Sequence, residues 1–178
     1  MEQFYLVLEF AGLNLVFWTV INGGFGLVMR LLPRSLFDYR RRLYKEHPFE
    51  KSLYKKIKVA GWKDRMPEWG HRIGFSKQTL ASTSDIHYIN RFIYETCIAE
   101  LGHLIMGVLG YTYLLLAYLL PAPLLPVYMY VLISTLHLVF QMMLVIIQRY
   151  NRPRLLKLRN RVLAVAPGLR YQALPDDP

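Results

Sequence analysis

Cysteine is almost missing: Cys97 stands alone among 178 residues. A single cysteine excludes an internal disulfide and a cysteine-built zinc site. Histidine is scarce as well, five residues spread too widely for a histidine-rich metal site in a membrane. The chain has no Gly-x-Ser-x-Gly elbow, no glycine-rich phosphate loop and no dinucleotide fingerprint, so the chemistries those motifs announce find no support. It also has no internal repeat and no low-complexity segment. Positive charge is absent where a signal peptide would need it. Glu2 and Glu9 open the first apolar block, and Arg30, Arg34 and Arg40 to Arg42 follow it. Residues 4–32 therefore read as an uncleaved anchor with its N-terminus outside. The Asn22-Gly-Gly24 break within it would allow a kink, a re-entrant turn or the close approach of a neighbouring helix.

What is present is apolar and arranged in blocks. Hydrophobic residues make up 54% of the chain and aromatic residues 14%. Their segregation into two or three runs, with a basic stretch between, marks an integral membrane protein rather than a soluble globule. The net charge of +10 fits cytoplasmic segments lying against anionic headgroups. Nucleic-acid binding is the competing reading of a basic chain, but no recognition fold is visible. The expected fold is all-α, a small polytopic membrane protein with about three transmembrane helices plus amphipathic interfacial helices. One membrane domain, 1–178, would contain a span at 4–32, a basic interfacial segment at 37–90, spans at 98–120 and 127–147, and a basic tail at 148–178. Pro121 to Pro126 would form the external turn. Phe49 to Lys58, with Leu53 and Ile57 among lysines, has the pattern of a helix lying on the bilayer surface, and the tail from Leu155 looks like a second one. All large basic segments then fall on one side, the cytoplasmic face of the plasma membrane.

Polar residues at membrane depth raise the energy unless paired or wet, which makes them functional candidates. Thr96, Glu100, His103, Gly107 and Gly110 share one helical face, and Arg91 lies one turn from Glu95. Glu100 can reach His103 in this spacing. A carboxylate beside an imidazole suits general-base chemistry, the carboxylate orienting the ring while the other nitrogen takes a hydroxyl proton. Ser134, His137, Gln141 and Gln148 form a second stripe on the next span. A hairpin would set the two stripes against each other, and simple helix-to-helix bonding explains the second one. Gln148-Arg-Tyr-Asn-Arg-Pro-Arg154 is the densest donor cluster; its arginine forks suit phosphate or carboxylate, while a plain stop signal is the alternative. Glu100-x-x-His103 and Glu68-x-x-His71 both have a spacing used in di-iron bundles, yet Pro67 and Gly70 argue against a regular helix at the second. No metal is expected. Cys97 reads as a small buried hydrophobe.

Three blocks, in order, carry a family resemblance: Phe49-Glu-Lys51 with Trp62-Lys-Asp64; Glu95-Thr with Ala99-Glu-Leu-x-His103; and Gln148-Arg-Tyr-Asn-Arg-Pro-Arg-Leu155. With these the chain resembles the glycosyl-4,4'-diaponeurosporenoate acyltransferase family of carotenoid biosynthesis. The resemblance implies a membrane acyltransferase that esterifies a sugar hydroxyl of a glycosylated carotenoid or related glycolipid. The donor would be a fatty acyl-CoA or acyl-carrier-protein thioester, acting as co-substrate with no separate cofactor. On this basis His103 and Glu100 are the catalytic candidates. Glu95, Trp62, Asp64, Gln148, Arg149, Asn151, Arg152 and Arg154 are the substrate-binding candidates, the arginines holding donor phosphates. Membrane lipid is a further partner, nucleic acid is not, and three helices make so thin a wall that a homodimer is conceivable. Two rival readings remain open: a non-catalytic lipid-binding or scaffold protein, and a metal-dependent lipid oxidase.

Overall fold

In lipid every backbone polar group needs an internal partner, which favours continuous helix wherever the sequence is apolar. The computed structural model describes residues 2–66, 83–119 and 125–166, and these contain helices and no strand. Helix α1 (Glu2–Thr19) passes through a π-helical turn at Val20–Gly24 into α2 (Phe25–Leu31). The Gly pair is thus absorbed as one wide turn within a single span, not as a re-entrant loop. Leu32 leaves the helix in extended conformation, as expected for a residue preceding proline, here Pro33. Two short helices follow, α3 (Glu50–Lys56) and α4 (Val59–Trp62). Asp85 starts α5 (Ile86–Leu109) as its N-cap: its side-chain oxygen accepts from the backbone N–H groups of His87 at 2.9 Å and Tyr88 at 3.2 Å. A 3-10 stretch at Gly110–Leu115 continues α5 into α6 (Leu116–Leu119), and α7 runs over Val127–Val165.

Three helical stretches, Phe4–Leu31, Ile86–Leu119 and Val127–Val165, are long and apolar enough to cross a membrane. The chain is an all-α polytopic membrane protein. Leu15, Val16 and Leu27 stay exposed along the first of these stretches, a placement suited to lipid contact.

Two boundaries differ from the sequence reading. The second helix begins at Ile86, well before residue 98, because the Asp85 cap and the packing of Ile89 and Ile93 hold its polar first turns. The tail from Leu155 is not a separate surface helix but the continuation of α7, which carries Pro153 inside it. Proline removes one backbone bond, and Leu155, packed on Ile89, Phe92 and Ile93, keeps the helix going. The expected turn at Pro121, the Glu68-x-x-His71 motif and the tail end beyond Pro167 lie outside the described residues.

The chain divides into two units by contact, Met1–Pro33 with Leu101–Val145, and Arg34–Glu100 with Ile146–Pro178. In the first unit all three spans are tied by polar bonds. Tyr113 donates to Asn14 at 2.5 Å, Ser134 donates to the Gly110 carbonyl at 3.2 Å, and Gln141 donates to Asn22 at 2.9 Å. Such bonds stand in for the hydrophobic drive that lipid does not supply between helices. The second unit has a conventional apolar core of Ile89, Phe92, Ile93 and Leu155, with Tyr39 and Val162 against it.

Gly110 permits the close approach within the first unit. A methyl group there would run into the imidazole of His137, whose Nε2 lies 3.2 Å from the Met106 carbonyl. Gly110→Ala should therefore destabilise the protein by about 1–3 kcal/mol, read as a drop in Tm in detergent. Gly12→Ala, with open space around it, should stay close to wild type. Equal effects of the two would refute this packing.

Candidate functional site

The second unit gathers its charge in one place. Arg152, 2% exposed, and Glu100, 3% exposed, are among the most buried polar residues, and Glu50 is 4% exposed. Arg149 and Arg152 lie three residues apart on α7, so both reach the same neighbours. Arg149 donates from Nε and Nη2 to Glu50 at 3.0 and 2.5 Å, and from Nη1 to Glu100 at 2.5 Å. Its remaining two hydrogens go to the carbonyls of Leu43 at 2.7 Å and Lys45 at 2.7 Å. Arg152 donates to the other Glu100 oxygen at 2.5 Å, to the Thr96 hydroxyl and carbonyl at 3.0 Å each, and to the Tyr44 carbonyl at 3.0 Å. A guanidinium has five N–H donors. Arg149 uses all five inside the protein and Arg152 four. The expectation that they hold donor phosphates meets this obstacle: their forks are already filled by carboxylates and backbone.

The neighbouring groups respond to the cluster. Burial works to raise the Glu50 carboxyl, but hydrogen bonds from Arg149 and from Tyr54, at 2.6 Å, outweigh it and hold Glu50 below its usual value. Burial pushes the Tyr44 phenol up to about 12, so it stays protonated and donates to the Leu36 carbonyl at 3.0 Å.

His103 belongs to the first unit and has a different partner. Its Nδ1 lies 2.8 Å from Gln141 Oε1, 38 residues on and one helix away. The polarity of that bond follows from the groups behind it. Asn22 Nδ2 donates to the Trp18 carbonyl at 2.9 Å, which turns Asn22 Oδ1 toward Gln141 Nε2, the donor at 2.9 Å. Gln141 Oε1 can then only accept. Nδ1 of His103 must carry the hydrogen, and Nε2 of the neutral ring keeps a lone pair. The expected orienter, Glu100, has both oxygens committed to arginines; Gln141 does this work instead.

The remaining candidates are dispersed. Trp62 ends α4, and its indole donates to the Ile57 carbonyl at 2.9 Å. Asp64 accepts from Lys63 at 2.5 Å in the next turn. Arg91 and Glu95 lie on α5, and Gln148 and Asn151 on α7. Arg154 donates to the Tyr150 hydroxyl and lays its guanidinium 3.8 Å from the centre of that ring. Cys97 is fully buried. Ser134, His137 and Gln141 all bond across helices. Among the described residues no three His, Cys, Asp or Glu side chains converge as a metal-binding group. Sequence reasoning missed Glu50 and Asn22. Glu50 sat inside a matched block, but only its distant partner Arg149 gives it meaning.

The family described as glycosyl-4,4'-diaponeurosporenoate acyltransferase matches residues 40–161. No significant match was found among curated proteins or among solved structures.

Two outcomes test the charge cluster. Arg152→Met leaves Glu100 without one partner in a buried place and should cost about 3–5 kcal/mol, or abolish recovery of monodisperse protein; a shift below 1 kcal/mol would overturn the picture. Because the folded Glu50 sits below the unfolded value of about 4.3, its contribution is fully present above that pH. It is lost as pH falls through the folded value. Glu50→Gln should lower Tm near pH 7 and flatten the acid-side decline. Identical acid declines in both proteins would contradict this.

Proposed function

The chain belongs to the glycosyl-4,4'-diaponeurosporenoate acyltransferase family, and from that premise we propose that it moves a fatty acyl group from a thioester to a hydroxyl of a glycosylated carotenoid or related glycolipid. The observation that supports this most is the directed row Trp18, Asn22, Gln141, His103, which leaves a basic nitrogen on a half-buried ring. In this reading His103 Nε2 removes the proton from the acceptor hydroxyl as its oxygen attacks the thioester carbonyl. The tetrahedral carbon collapses, the carbon–sulfur bond breaks, and the imidazolium returns the proton to the leaving thiolate. The products are an ester and a free thiol. Gln141 orients the ring without lending it charge, so the base is a plain imidazole. Glu100, Arg149, Arg152 and Glu50 hold the second unit together. The basic side faces the cytoplasm.

A non-catalytic lipid-binding or scaffold protein is the second reading, favoured by the fact that the same row of polar groups joins all three spans. Mass spectrometry of membranes supplied with a glycosylated carotenoid separates the two. Wild type should add one fatty acyl group to the carotenoid. His103→Gln should lower the rate by about 10²–10⁴-fold at unchanged Tm, and Gln141→Leu should lower it less. Undiminished acylation by folded His103→Gln would leave His103 a structural residue. If folded wild type forms no acylated lipid in an unbiased scan, the scaffold reading stands.

A further inference from the structure

Arg154 is the one arginine of its cluster that turns away from the buried carboxylates. It lines a groove of about 590 Å³ together with Lys51, Lys55 and Lys58 from one side and Lys157 from its own helix. Five cations share this groove with a single lining carboxylate, Glu46, whose link to Lys51 is a loose 3.7 Å. Like charges gathered around one concavity repel, and an anion held there would relieve that repulsion.

Two features show that the groove is built. The Arg154 guanidinium is stacked on Tyr150, which fixes its direction and lowers the ordering cost of binding. Lys58 follows the last turn of α3 with φ 51°, the only positive-φ non-glycine among the described residues. Glycine takes this left-handed position at a helix end far more readily. A lysine in that conformation bears strain, and such strain collects at functional positions.

We propose that this groove binds the clustered phosphates at the nucleotide end of the acyl donor, which makes the donor a coenzyme A thioester. The inference rests on the acyl-transfer reading. Coenzyme A presents a pyrophosphate and a ribose phosphate close together, so several charges meet several cations; a phospholipid headgroup offers one phosphodiester and leaves most of the lysines without a counter-charge. Arg149 and Arg152, filled by Glu50 and Glu100, are not part of this site.

Free coenzyme A, which carries no acyl group, tests this without turnover. Titrated calorimetrically into the full chain in phosphatidylcholine nanodiscs, it should bind saturably and more weakly at high salt. Coenzyme A lacking its ribose phosphate should bind more weakly still. Lys157→Gln and Lys58→Gly should each weaken binding about threefold to tenfold, while Lys58→Gly leaves Tm equal or higher because it relieves strain. No saturable binding, or binding indifferent to both variants, overturns the proposal. So does phosphatidylglycerol that stays bound to wild type in native mass spectrometry and is lost from the variants, with coenzyme A not binding; the groove is then a lipid site. Groove-dependent coenzyme A binding without any acyl transfer would remove the proposed function and leave the groove. Acyl transfer with an unchanged donor KM in the variants would do the reverse.

Discussion

Arg152 and Glu100 are buried to within a few per cent of complete, and an ion so placed is tolerable only when its charge is matched and its hydrogen-bonding capacity filled. The second unit meets both demands. Glu50 and Glu100 balance Arg149 and Arg152 one for one, and Thr96, Leu43, Tyr44 and Lys45 supply oxygen to the donors left over. The arrangement ties together parts far apart in sequence: α3 through Glu50, the preceding loop through its carbonyls, α5 through Glu100 and α7 through both arginines. None of the four charged members can be removed without leaving a buried charge short of its partner. Placement, more than net stabilisation, is what such a cluster provides, because a buried ion pair and a good apolar contact are often of similar worth.

The cluster also explains why its two central cations are arginines. Only a planar fork with five donors can satisfy two carboxylates and two carbonyls at once, and arginine occupies both central positions. The groove lysines Lys51, Lys55, Lys58 and Lys157 lie outside the cluster, on α3, just after it and on α7. A compact ammonium on a flexible stem suits a wet groove and ordinary anion contacts. Arg149 and Arg152 are matched by Glu50 and Glu100, so the net charge of +10 belongs to the cations outside this cluster.

Part of this fold is legible in the sequence. Apolar runs and charge order indicated three spans, and the face Thr96, Glu100, His103 did prove to carry buried polar contacts. What spacing could not tell was which partner each side chain would choose. Glu100 and His103 are three residues apart, yet helical proximity is a weak force beside a charged, multiply bonded arginine from another helix; Glu100 took Arg149 and Arg152, separated from it by 49 and 52 residues. Glu50 was invisible for the same reason. The continuation of α7 past Pro153 was unreadable too, since proline ends helices by its local cost, and only tertiary contacts on either side of it show that cost being overcome.

His103 illustrates a general point about neutral partners. A carboxylate beside an imidazole only accepts, so it fixes the tautomer and raises the ring's basicity; an amide brings no charge and can present either its oxygen or its N–H. Gln141, fixed in direction by Asn22 and Trp18, selects one tautomer by polarity alone and keeps charge out of the apolar surroundings. For a group on an apolar helix that is the cheaper arrangement, because a permanent ion pair there would need a full set of partners such as the second unit devotes to Glu100.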